Sequence, residues 1–168
     1  WNHIDYQRIS RSDLPDLVDG CVWVDPAVTD TDESDCHGIQ ADGIGPDGTI
    51  YRMFSWEQRT SPEDSLRRAI LKCIELKFSR VGVETDQGGD TWKSVYAQAW
   101  QQLVASPSYP RITKTTNKPK FIGAKAGAGH GSKVHRNSLM LTDYEHGRVV
   151  HLRGTHLPLE RALNRFPR

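Results

Sequence analysis

Cysteine is scarce in this 168-residue chain: Cys21, Cys36 and Cys73 are odd in number, far apart and without a CxxC pair. That argues against a disulfide framework or a zinc knuckle and fits a reducing cytoplasm. No apolar run approaches the roughly 18 residues of a membrane span, and no basic n-region followed by an apolar stretch marks a secretory leader. The first residue is Trp1 rather than Met, so the chain is expected to be a piece of a longer protein. A further absence is the most informative. Residues 91–142 contain no Asp or Glu but eight Lys or Arg, whereas residues 1–90 hold 18 acids against 9 bases, an asymmetry hidden by the net charge of +1. Such segregation lets one region hold cations while another meets a polyanion such as a phosphate backbone.

What is present belongs to a globular protein. With 36% hydrophobic and 26% charged residues the chain has the composition of one folded domain, and it contains no internal repeat. "GCVWV" (20–24) reads as a buried strand stopped by Asp25-Pro26, because the residue before proline avoids the helical region. "CHGIQAD" and "TIYRMFSW" flank the turn formers "GPDG", which predicts an antiparallel hairpin over 36–56. Ser61, Pro62 and Asp64 form a helix start, and Leu66, Ile70, Cys73, Ile74 and Phe78 give that helix one apolar stripe to about residue 78. "RVGVE" (80–84) predicts a fourth strand, reached by a helical crossover and parallel to the first. A second helix, capped by Asp90 or Thr91, repeats Trp92, Val95, Tyr96, Ala99, Trp100 and Leu103. "RITKTTN" (111–117) suits a fifth strand. A third helix over about 134–146, the strand "RVVHL" and the amphipathic "LPLERALNRF" complete the chain. This order predicts an α/β fold, a mixed central sheet flanked by helices.

Asp25 and Glu84 each end a predicted strand. If these strands are parallel neighbours, both carboxylates emerge side by side at one sheet edge, an arrangement suited to hard cations such as Mg²⁺ or Mn²⁺. A pair of such ions can activate a water and stabilise the leaving oxygen of a phosphodiester. An Asp-Pro turn and a solvated strand end would account for the same two residues. Asp35, Asp86 and Asp90 lie close enough in sequence to be further ligands, although Asp90 suits a helix cap and Asp86 a loop. His130 and His135 lie five apart, and His146, His151 and His156 recur every five residues, a spacing that matches neither helix nor strand period and argues against a histidine metal site. "GAKAGAGHGSKVHR" (123–136) is no phosphate loop: Lys133 follows Ser132 instead of the last glycine, no Ser or Thr follows it, and GxGxG is not GxGxxG. A flexible linker, or a loop whose Lys125, Lys133 and Arg136 reach phosphates, remains.

Taken together, "WVDPAV", "SDCHGI", "VGVETDQGGDTW", "GSKVHR" and "YEHGRVVHLRGTHLPLERALNRF" resemble, in order and approximate spacing, the blocks of the nuclease domain of tailed-bacteriophage large terminase subunits. The resemblance runs from about Val22 to Phe166. It implies an RNase H-like fold, three antiparallel strands followed by parallel ones, and two-metal (Mg²⁺ or Mn²⁺) cleavage of double-stranded DNA during genome packaging. It also implies a fused N-terminal ATPase domain before Trp1, the portal protein and small terminase subunit as partners, no membrane, and action in the host cytoplasm at the procapsid portal. By position, Asp25 and Glu84 resemble the catalytic acids, Asp35 an auxiliary metal ligand, and Lys133 and Arg136 a DNA-contacting "K-x-x-R" block. The family's third catalytic carboxylate follows the "LE…F" block; none is found before Arg168, so it is expected beyond that residue or replaced, and Asp143, which aligns with the helix before "GRVVH", is not assigned to it. On this reading residues 1–19 are a lead-in, 20–168 the core, and about 113–133 a flexible basic loop. A DNA-gripping module without catalysis, or another RNase H-like nuclease of resolvase or transposase type, would share the same pattern.

Overall fold

In the computed structural model, residues 1, 3–26, 36–85, 89–125, 133–154 and 156–165 are described, with the side chains of 133–137 excepted. The elements are β1 (Arg8–Ile9), a 3₁₀ turn (Arg11–Asp13), β2 (Asp19–Asp25), β3 (His37–Ile44), β4 (Ile50–Gln58), α1 (Pro62–Glu75) and β5 (Arg80–Glu84). They continue with α2 (Thr91–Ala105), β6 (Lys120–Ala124), α3 (Lys133–Glu145), β7 (Val149–Leu152) and α4 (Leu157–Arg165). The seven strands form one sheet in the order β1-β7-β4-β3-β2-β5-β6. Parallel pairing joins β1 to β7, β7 to β4, β2 to β5 and β5 to β6. β3 and β4 are adjacent and joined through a tight turn in which Gly45 N–H donates to Thr49 C=O, the connection of an antiparallel hairpin. The expected mixed sheet with helices is therefore present.

The chain divides into two compact units, one of Trp1–Gly20, Gln40–Trp56 and Ala126–Arg168, the other of Cys21–Ile39 and Glu57–Lys125. In the second, α1 begins as its sequence dictates. Ser61 accepts from the Asp64 N–H and Pro62 occupies the first turn, where a missing N–H costs nothing. It ends at Glu75 rather than near 78, because Lys77 takes a left-handed conformation (φ 59°). Phe78 N–H then donates to Cys73 C=O and Lys77 N–H to Ile74 C=O, a Schellman closure with lysine at the position glycine usually holds. Leu66, Ala69, Ile70 and Cys73 of α1 and Trp92, Tyr96, Ala99 and Leu103 of α2 are buried, as are Val22, Val24, Val81 and Val83 of the strands.

Two expectations are corrected here. Residues 111–117 are not a strand; the fifth core strand comes later, at Lys120–Ala124, inside the segment expected to be a loop. The threonines explain the difference. The Thr113 N–H donates to Thr116 Oγ1, and the Thr113 and Thr115 hydroxyls bond each other, so side chains close a turn in place of a strand ladder. Residues 126–132 of the expected loop lie outside the described residues. Nor are residues 1–19 a lead-in. β1 pairs with β7, and Trp1 and Tyr6 are buried with Tyr144, Val149 and Leu163, because burying these two large rings removes their apolar surface from water.

The first unit also holds a buried polar chain. Arg52 is ion-paired with Asp42 and donates through Nε to Tyr144 Oη at 3.4 Å. Tyr144 Oη meets His151 Nε2 at 2.7 Å, His151 Nδ1 meets Glu160 Oε1 at 2.7 Å, and Arg8 Nη2 donates to Glu160 Oε2 at 2.8 Å. The carboxylate fixes the His151 tautomer with Nδ1–H donating to it, leaving Nε2 to accept from the tyrosine. Alongside, His156 Nδ1 lies 2.7 Å from Ser55 Oγ, which donates to Gln40 Oε1 at 2.6 Å. Burial, then the neighbouring His151, pushes His156 down to about 4, and burial lowers His151 as well. Because the folded state holds this proton less readily than the unfolded chain, His156 costs stability as pH falls from about 6.5 towards 4, at up to about 1.4 kcal/mol per pH unit. Urea titrations of the wild type and His156→Asn across that window should show the steeper acid loss in the wild type; equal slopes would refute the assignment.

Candidate active site

The second unit brings two carboxylates together by register. β2 and β5 pair in parallel, with Val22 opposite Val81, Trp23 opposite Gly82 and Val24 opposite Val83. One further step sets Asp25, the last residue of β2, beside Glu84, the last of β5, on strands about 4.8 Å apart. Strand alternation puts the valines into the core and both acids on the opposite face, with Trp23. Asp25 is exposed and Glu84 half-buried.

Gly82 makes this packing possible. A Cβ at Gly82 would sit 2.0 Å from Trp23 Cε3, so only glycine lets the indole lie across β5. Gly82→Ala should therefore displace Trp23 and cost about 1–3 kcal/mol, checked by urea denaturation followed through tryptophan fluorescence; a neutral effect would contradict this packing. On β3, Gly38 lies beside Asp25, and a Cβ there would make only an ordinary contact with Asp25 Cβ, at 3.7 Å.

β6 supplies a cation to the same edge. It pairs in parallel with β5, Ala124 opposite Glu84, and Thr85 N–H donates to Ala124 C=O at 2.8 Å. Lys125 is the next residue and is exposed. Asp25, Glu84 and Lys125 thus share the carboxyl end of three adjacent parallel strands. Lys133 and Arg136 lie on α3, their side chains outside the described residues, as are Asp35 and Asp86 entirely. Asp90 takes the N-cap position of α2, and Asp143 is held by Arg148 at 2.6 and 2.9 Å.

Sequence reasoning overlooked His37. It is buried at the start of β3, its ring edge-on to Trp92 at 6.5 Å, and it lies within the field of Asp25. Burial holds it below the ordinary histidine range while a backbone contact at Thr60 and the Asp25 charge oppose that shift. The only signal in the sequence was a histidine one residue before Gly38, in a strand whose neighbour was not yet known. The thiol of Cys73 is no nucleophile, since burial pushes it up to about 11.

Asp25 and Glu84 are oxygen donors of the kind Mg²⁺ or Mn²⁺ prefers, and adjacent in-register strands allow both to serve one site. Among the described residues, no cluster of three or more His, Cys, Asp or Glu side chains suited to a metal is present.

The mixed seven-stranded sheet flanked by helices is that of the RNase H-like fold. The human cytomegalovirus terminase nuclease domain is similar in structure: TM-score 0.60 and 14% identity, over 97% of this chain and 81% of that one. A yeast mitochondrial Holliday junction resolvase also matches, at TM-score 0.49 and 8% identity, over 93% of this chain and 75% of that one. No family model and no curated protein matches the sequence. The likeness to terminase nuclease domains implied by the sequence blocks thus holds at the level of the fold. No helix among the described residues is long and apolar enough to cross a membrane.

Proposed function

We propose that this chain is a divalent-metal-dependent endonuclease that hydrolyses double-stranded DNA with little sequence selection, acting in viral genome packaging. The observation that carries this reading is the parallel register of β2 and β5, which seats Asp25 beside Glu84 at one sheet edge. Mg²⁺ or Mn²⁺ held by these carboxylates would supply an activated water and neutralise charge at the scissile phosphate. The chain's own residues do the rest. Asp25 and Glu84 provide the negative oxygens that select hard cations, and Lys125 adds positive charge for the phosphate at the same edge. Trp23 lies over Gly82, on the same face of the sheet as the two acids.

The similarity of fold to a viral terminase nuclease domain, together with the sequence blocks, supports the packaging role. With it come the proposed partners: an ATPase domain in the same polypeptide, the portal and small subunit, and a site of action in the host cytoplasm. Asp35, Lys133 and Arg136 are proposed as an auxiliary ligand and DNA contacts. The test is a plasmid assay: supercoiled DNA should be nicked and linearised with Mn²⁺ or Mg²⁺ and stay intact with EDTA. Failure to cleave with any divalent metal, in the full polypeptide as well as this chain, would overturn the proposal.

A further inference from the structure

β6 is the last strand in the sheet order, and the segment leading into it is basic and well fixed. Between residues 91 and 125 there is no acid, but there are Lys93, Arg111, Lys114, Lys118, Lys120 and Lys125. Among the described residues none of these six forms an ion pair, whereas Arg52, Arg67, Lys72 and Arg148 each hold a carboxylate. Arg111, Lys114, Lys120 and Lys125 are exposed.

The backbone that carries them is pinned at several points. Ile112 is buried, and its N–H donates to Tyr109 C=O at 2.9 Å. The threonine turn over 113–116 follows directly. Tyr96 Oη of α2 then donates to Pro119 C=O at 2.7 Å, and the Lys118 ammonium rests 5.0 Å over the Tyr96 ring. Lys120 N–H donates to Ser79 C=O as β6 begins.

The parallel register gives these cations a direction. Lys120 stands opposite Arg80, at the start of β5, while Lys125 follows the residue opposite Glu84. The two lysines are five positions apart along the strand, about 16 Å at the usual rise, and Lys120 is the one on the face that carries Glu84. Arg111 and Lys114 precede Lys120, and so enter from the end of the sheet away from the carboxylates. A duplex carries a phosphate on each strand every 3.4 Å of axis, so about 16 Å spans roughly five base-pair steps.

We infer that the β6 edge and the turn segment 109–120 form a backbone-binding track for duplex DNA, leading from the carboxylate end to the opposite end of the sheet. The inference rests on the proposed nuclease reading and adds a footprint to it. The chain grips several phosphates to one side of the cut, through side chains carried on a backbone that the turn pins. Such contacts position the duplex and carry no sequence information.

Binding is measured by fluorescence anisotropy of a labelled mixed-sequence duplex over a salt series in EDTA, so that no cleavage is needed. The triple variant Arg111→Gln/Lys114→Gln/Lys120→Gln should lower the slope of log affinity against log salt by about 2 to 3, near 0.9 per lost contact. A charge-matched triple, Arg11→Gln/Lys77→Gln/Arg153→Gln, should change it by less than about 1. All six residues are exposed or nearly so, and melting curves check that both triples fold. An unchanged slope in the first triple overturns the track, and would leave its cations to another polyanion such as an acidic protein segment. Equal losses in both triples overturn it too, since they would report net charge alone. If the wild type cleaves DNA and the first triple binds normally, only the track fails; if the wild type neither binds nor cleaves, the nuclease reading fails first.

Discussion

Asp25→Ala and Glu84→Ala should each reduce Mn²⁺-dependent cleavage of supercoiled plasmid by about 10²–10³-fold or more, with the melting transition unchanged within experimental error. The magnitude follows from removing a group whose charge acts on the reacting phosphate through the ions it holds. The unchanged stability follows from position. Asp25 is exposed and Glu84 half-buried, both end their strands, and neither contributes to the valine core formed by Val22, Val24, Val81 and Val83. Asp25→Asn and Glu84→Gln keep the shape and remove the charge, so they separate a lost ligand from a lost contact. Losses of similar size in the amides and the alanines would assign the effect to charge. Because the two carboxylates act on one site, the double variant should be little worse than either single one. Full activity in either alanine variant would refute the assignment.

Glu160→Ala should be the most destabilising single change in the first unit, by about 3 kcal/mol, the lower end of the range for removing one partner of a buried charged pair. Glu160 is buried, and both of its oxygens are taken, one by His151 Nδ1 at 2.7 Å and the other by Arg8 at 2.8 Å. Alanine leaves the His151 N–H without its acceptor in the interior, and His151 is fully buried. Arg8 is about 41% exposed along its side chain and can turn to water, which is why the lower figure applies. The change should pass along the chain, since His151 in turn accepts from Tyr144, which packs against Trp1 and Tyr6. Urea denaturation measures the loss, and near-ultraviolet circular dichroism should show weakened aromatic packing. Glu160→Gln retains an acceptor for His151 and should recover more than half of the stability. A loss below about 1 kcal/mol in Glu160→Ala would mean that the network is not a structural clamp.

Much of this was legible in the residues themselves. Strand β2 and its end at Asp25-Pro26, the hairpin around "GPDG", the Ser61 cap with Pro62, and the stripes of α1 and α2 follow from local rules of period, turn chemistry and capping, so they required no knowledge of distant partners. The same is true of the acid-free stretch that later supplies the β6 track. Where local rules failed, a non-local contact decided. "RITKTTN" has the β-branched composition of a strand, but its hydroxyls bond its own backbone, and "KFIGA" takes the place beside β5. Residues 1–18 carry only two residues of strand, yet Trp1 and Tyr6 find a core built by α3, β7 and α4 from the other end of the chain.

The sequence by itself determined which residue types stand at strand ends, where the charges segregate and how the helices begin. It could not determine that β2 and β5 are neighbours, because pairing between segments some 60 residues apart is set by the whole sheet order rather than by any short pattern. That single tertiary fact turns Asp25 and Glu84 from two separate strand ends into neighbours at one end of the sheet. The same register brings Lys125 to that end of the sheet and Lys120 to the opposite end. The five-residue recurrence of His146, His151 and His156 likewise had no periodic meaning. Tertiary packing gave His151 and His156 one, as buried partners of Glu160 and Ser55, since only the folded core excludes the water that would otherwise satisfy them.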